Sequence, residues 1–177
     1  MIIGSIPENK DLEKRISLVP DIIKKYTNLG LEVNIVKGYG DHLGFNDDTF
    51  KNAGAKILLS KEEVIKNSNI LIQLDLINEN DFSILSKDKI LIGSMNYSKN
   101  KDKIEKLKSN GVNIFSLELL PRITRAQSMD ILSSQAILAG YKAVIEAFAF
   151  FEKAIPMMMT AAGTVPAAVI IIGIAFS

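Results

Sequence analysis

Short apolar runs that alternate with helix-like segments constrain this chain more than any other feature. The runs are Met1–Ile6, Leu31–Lys37, Ala55–Leu58, Ile70–Leu74, Ile90–Ile92 and Val112–Ser116. Each has strand length, and Leu31–Lys37 alternates, with Leu31, Val33 and Ile35 on one side. Between them, Pro20–Leu29 sets Ile22, Ile23, Tyr26 and Leu29 on one helical face, and Gly30 stops it. Asp47–Ala53 reads as a short helix with Gly54 just past its end. Lys61–Ile65 follows Ser60 as an N-cap, and Glu79–Leu85 reads as a helical turn. Lys99–Asn110 is an amphipathic helix that turns Ile104 and Leu107 inward. Strands that alternate with helices build a doubly wound, mostly parallel α/β sheet of Rossmann type.

A longer helix is expected from Gln127 to Glu152. Met129, Leu132, Ala136, Ala139, Ala143, Ala147 and Phe148 lie near one stripe. Small residues dominate it, so another element packs closely there, as an interdomain spine or a dimer contact. The character of the chain breaks near Pro156. We expect one domain over residues 1–153, long helix included, and the start of a second over 154–177.

Composition removes several function classes. Net charge is +1, with lysines scattered and not interleaved with aromatics, so nucleic acid is not an expected partner. There is no cysteine and a single histidine, His42, so Cys-based zinc sites, thiolate catalysis and multi-histidine metal sites are excluded. Glu8, Asp11 and Glu13 interrupt the N-terminus too early for a secretory signal. Ala154–Ser177 carries no charge, but Pro156, Gly163 and Pro166 interrupt it. A membrane span needs about 20 uninterrupted apolar residues. The remaining run, Ala167–Ile172, reads as a buried parallel strand.

The densest polar stretch is Pro121–Ser134, read as P-R-I-T-R-A-Q-S-M-D-I-L-S-S. It follows an apolar run that ends near Glu118 and gathers Arg122, Arg125, Gln127, Asp130, Ser133 and Ser134. An Arg, a Gln and an Asp spaced five and three apart can face a planar, amide-bearing ligand. A plainer account makes Arg122 and Asp130 a loop-stabilising ion pair and Gln127 the first turn of a helix.

The stretch resembles the loop of the NAD(H)-binding component of the proton-translocating NAD(P) transhydrogenases, known by its Arg, Gln and Asp. The resemblance runs the length of the chain. M-I-I-G-S-I-P-E-N looks like that family's opening strand and Pro-Glu turn, and Lys14–Pro20 like its Glu-x-Arg-Val-Ala-x-x-Pro segment. Gly44–Asp47 and Ala53-Gly54-Ala55 match its G-F-x-D and A-G-A, and Thr160–Pro166 the entry to its second domain.

The resemblance implies hydride transfer from NADH to NADP⁺ held by a partner, coupled to proton translocation. Arg122 and Ser133 would hold the nicotinamide carboxamide, and Gln127 the adjoining ribose where the NADP(H)-binding component docks. Asp130 would fix the fork of Arg122. It also implies a homodimer with membrane partners, cytoplasmic and peripheral to the inner membrane. In the family a G-x-G-x-x-G turn follows. Here Gly173 is followed by Ile174 and Ala175, so no pyrophosphate site is assigned, and truncation of a longer product is expected. Alone, the chain should not bind NAD tightly or turn over.

Two other classes stay open. Alanine dehydrogenase shares the fold and needs an Arg, a Lys and a His. Arg15 matches the first, but the lysine position reads Gln73 or Asp75 and the histidine position Asn96. Asn cannot deliver the proton that chemistry requires. Arg15 is then read as a surface or ion-pair residue, and His42 as a loop residue. The third class is a non-catalytic interaction module that keeps a dimer or partner surface. Gly38, Gly40 and Gly44 are read as turn glycines because Tyr39 and Asp41 break a phosphate fingerprint. Met157–Met159 is read as an apolar packing patch.

Overall fold

A computed structural model describes residues 1–121 and 123–151. The chain divides into two compact units, Met1–Pro121 and Arg122–Ser177.

The first unit is built on the predicted strands: β1 (Ile2–Ser5), β2 (Glu32–Val36), β3 (Ala55–Leu58), β4 (Ile70–Gln73), β5 (Ile90–Gly93) and β6 (Asn113–Ser116). They form one six-stranded sheet in the order β3-β2-β1-β4-β5-β6. All five pairings are parallel, with β1 meeting β2 at Ile3↔Val33 and β4 at Gly4↔Leu71. Four helices join the strands: α1 (Pro20–Asn28), α2 (Asp47–Asn52), α3 (Lys61–Asn67) and α4 (Tyr97–Ser109). Asn46 and Ser60 cap α2 and α3 by accepting the amides of Thr49 and Glu63. The turn expected over Glu79–Leu85 shrinks to a 3₁₀ turn, Glu79–Asp81.

Because helices cover both faces, the sheet buries two apolar layers. One gathers Ile3, Ile23, Val33, Ile35 and Phe50. The other gathers Val64, Ile65, Leu71, Leu91, Met95 and Leu107. Ile104 and Leu107 point inward as the helical spacing requires. Lys89 is buried, and among the described residues no carboxylate pairs with it. Its ammonium donates instead to the Lys66 and Ser68 carbonyls at the end of α3, at 2.9 and 2.6 Å, and burial holds its pKa below the lysine range.

In the second unit the long helix starts later than expected. It runs as α5 (Ile131–Phe150), preceded by a 3₁₀ turn over Gln127–Met129. Asp130 explains the shift: its carboxylate accepts the amides of Leu132 and Ser133, which makes it the N-cap. Among the described residues no helix is long and apolar enough to cross a membrane. Arg122, Glu152 and everything predicted for 154–177 lie outside the described residues.

Candidate functional site

In a parallel sheet of this strand order, the crevice outside the carboxyl ends of β1 and β4 is where ligands usually enter. The first unit has a cleft of about 570 Å³ there, lined by Ile6, Glu8, Gln73, Asp75 and Asn78 among others. Its floor is closed by side chains. Past the last ladder pair of β1 and β4, the Gln73 carboxamide behaves as an extra peptide group. Its Oε1 accepts the Ile6 amide at 2.9 Å, and its Nε2 donates to the Ile6 carbonyl at 3.1 Å. The same nitrogen lies 3.3 Å from Glu8, whose carboxylate accepts the Leu74 amide at 2.6 Å.

Three hydroxyls continue this network under the floor. Ser17 donates to the Ile72 carbonyl at 2.9 Å. A hydroxyl has one proton, so Ser17 must receive at its other contacts. Ser5 donates to Gln73 Oε1 at 3.0 Å, so the Tyr39 proton goes to Ser5 at 2.8 Å or to Ser17 at 3.1 Å. The Tyr39 oxygen accepts the amides of Ser17 and Leu18 at 3.1 and 3.2 Å. Burial pushes the Tyr39 phenol above its ordinary pKa, which keeps it a donor at neutral pH. Tyr39→Phe should therefore destabilise the unit by about 1–3 kcal/mol, the penalty for stranding buried amides, read as a lower urea midpoint at unchanged slope.

The cleft does not suit phosphate. No helix follows β1 directly; Pro7-Glu8-Asn9 does, and α1 begins only at Pro20. Glu8, Glu13 and Asp75 bring negative charge to the rim. Burial, opposed by the Leu74 amide and helped by the charges of Asp75 and Glu13, raises the Glu8 pKa. A carboxyl whose folded pKa is raised favours folding while protonated. Its contribution is present below the ordinary glutamate range and is lost as pH rises through the folded pKa. Glu8→Gln should flatten the fall in melting temperature from that range to neutrality, as checked by thermal unfolding across pH.

The residues weighed for amino-acid dehydrogenation do not assemble a proton donor. Arg15 is held by Glu13 at 2.6 Å. Gln73 is spent on Ile6. Asn96 is exposed, in the left-handed region with φ +48°, at the entrance to α4. Glu118 fixes that turn. It accepts the amides of Met95 and Tyr97 at 3.1 and 2.9 Å and the Ser116 hydroxyl at 2.7 Å. Burial alone would raise the Glu118 pKa, but these bonds hold it below the usual range. The His42 ring nitrogen Nε2 meets the Lys14 carbonyl at 2.8 Å, as a loop residue would. Among the described residues no cluster of His, Asp and Glu could hold a metal ion.

In the second unit the structure brings Gln127, Asp130 and Ser133 together. They line one groove of about 380 Å³ with Met129, Ser134 and Ile137. Asp130 is half-buried and fixes its neighbours: Oδ1 accepts the Leu132 and Ser133 amides at 3.0 and 3.1 Å, and Oδ2 accepts the Ser133 hydroxyl at 2.6 Å. Arg125 is exposed. The donor set suits an amide-bearing ring, since Gln127 offers both a donor and an acceptor. The expected pairing of Asp130 with Arg122 lies outside the described residues.

Residues 4–139 match the family model for the alanine dehydrogenase/PNT N-terminal domain. The chain belongs to this family. An NAD(P) transhydrogenase subunit alpha polypeptide of Rhodospirillum rubrum is 36% identical over 170 residues, covering 93% of this chain and 44% of that protein. Alanine dehydrogenase 1 of Staphylococcus aureus is 26% identical over 145 residues, 82% of this chain and 38% of that protein. The crystal structure of transhydrogenase from Sinorhizobium meliloti superimposes with a TM-score of 0.82 at 37% identity, over 95% of this chain and 50% of that one. The chain thus spans less than half the length of these two curated relatives.

Reading the sequence alone singled out the 127–133 groove, but it missed the Tyr39–Ser5–Ser17–Gln73 network and the Glu118 clamp. Tyr39 drew notice only for interrupting a glycine-rich loop, and Glu118 only for ending an apolar run.

Proposed function

We propose that this chain is the N-terminal part of the NAD(H)-binding subunit of a proton-translocating transhydrogenase. The observation that carries the reading is the groove at the start of α5. There Gln127, Asp130 and Ser133 converge, in a chain more similar to the transhydrogenase subunit than to alanine dehydrogenase. The nicotinamide supplies the hydride, and the protein orients and shields it. Ser133, with Arg122, would hold the carboxamide; Gln127 would meet the ribose at the face where an NADP(H)-binding component docks; Asp130 would fix the Arg122 fork. Direct transfer between two rings asks for no general base, and the residues weighed for amino-acid dehydrogenation supply no such proton donor.

The adenosine and pyrophosphate half of the nucleotide needs a G-x-G-x-x-G turn that this sequence does not contain. On this reading residues 154–177 begin the second domain that would supply it. The complex would be a homodimer at the cytoplasmic face of the inner membrane, joined to it through membrane components.

The test joins this chain to a family-type second domain and mixes it with an NADP(H)-binding component. Reduction of NADP⁺ by NADH, without NADH oxidation by pyruvate and ammonia, supports the reading. Oxidation by pyruvate and ammonia would assign it to the dehydrogenases instead.

A further inference from the structure

Two polar side chains of the first unit are buried where α3 packs on β1 and β2. Asn34 is 3% exposed and Ser68 1%. Among the described residues neither Asn34 Oδ1 nor Ser68 Oγ has a hydrogen-bond partner. A bare buried polar group is costly, and native folds give nearly all of them a partner. Both atoms flank the same residue. Gly4 of β1 is in register with Asn34 of β2, so their side-chain positions share one face of the sheet. It is the face of Ile6 and Val36, two residues further on, which pack in the layer with Val64 and Ile65 of α3. Ser68 directly follows α3, and a Cβ on Gly4 would lie 2.2 Å from its Oγ. The hydroxyl thus stands where Gly4 has no side chain, in the row that Asn34 shares.

We propose that this row is the binding site of one internal water molecule, which donates to Asn34 Oδ1 and shares its second hydrogen bond with Ser68 Oγ. Registered side-chain positions on neighbouring strands stand about 4.8 Å apart. That is too far for a direct bond. Two hydrogen bonds of about 2.8 Å that meet at a tetrahedral oxygen span about 4.6 Å. A buried water needs at least two polar partners, and these two atoms supply them: the carboxamide oxygen accepts, and the hydroxyl gives or takes. The molecule ties the end of α3 to β2 across β1. Gly4 is required for this arrangement, because a methyl there would meet Ser68 Oγ and Cβ at 2.2 and 2.8 Å. The nucleotide groove plays no part in the site.

A high-resolution crystal structure of the unsubstituted 177-residue chain tests the site. The expected result is an ordered water within about 3.2 Å of both atoms. A direct bond between Asn34 and Ser68, or no ordered density between them, would overturn the proposal. Urea unfolding follows the shared partner in solution. Ser68→Ala and Asn34→Ala each remove one of the two groups that hold the water, so the second removal should cost less once the first is made. The double variant should then weaken the folding equilibrium less than the product of the two single effects, by about threefold or more. Single effects that simply multiply would show that the two side chains share no partner, and would overturn the proposal as well. Should either variant fail to fold, the structure of the unsubstituted chain still decides.

Discussion

Gln73→Leu should lower the stability of the first unit by about 2–5 kcal/mol, because it leaves the buried Ile6 amide and carbonyl without partners at once. The two side chains are similar in size, so a cavity contributes little and the loss reports polar satisfaction. Gln73 is 3% exposed, so the groups it satisfies are shielded from bulk water. For a unit of this size the melting temperature should fall by on the order of 10 °C. An unchanged melting temperature would mean that the closed floor of the cleft is not what joins the two halves of the sheet.

Gln127→Asn should act on transfer and not on affinity. The substitution keeps the carboxamide but withdraws it by one methylene, so a contact at the exposed edge of the groove is displaced by about 1.5 Å. Displacements of that order can slow an oriented reaction by about a hundredfold. Binding of NADH, spread over the whole nucleotide, should change by less than about threefold. Stopped-flow transfer to NADP⁺ on the partner, set beside calorimetric affinity, separates the two. Equal losses in rate and affinity would make Gln127 an ordinary binding residue.

The strands were legible because a parallel sheet covered on both faces asks for β-branched apolar runs, and Ile70–Gln73 and Ile90–Gly93 are such runs. The capped start of α3 was legible because Ser60 acts within three residues, whereas Asn46, the cap of α2, was passed over for Asp47 beside it. The start of α5 was misplaced by four residues because Gln127–Met129 continues the helical spacing, and only geometry reveals Asp130 as the cap. The groove residues Gln127, Asp130 and Ser133 could be found because they sit within seven positions of one another. The floor of the cleft could not. Tyr39 and Gln73 meet Ser5 across 34 and 68 positions, and Glu118 reaches Met95 across 23. Nothing in composition or periodicity marks a partner at that range.

The central claim is that this chain supplies the nicotinamide end of a site whose other half lies in a second domain. Calorimetric titration of NADH into this chain, and into the chain joined to a family-type second domain, tests it most directly. The account predicts micromolar binding by the extended protein only. Micromolar binding by the 177-residue chain itself would contradict it, because the groove at α5 would then hold a nucleotide without the glycine turn.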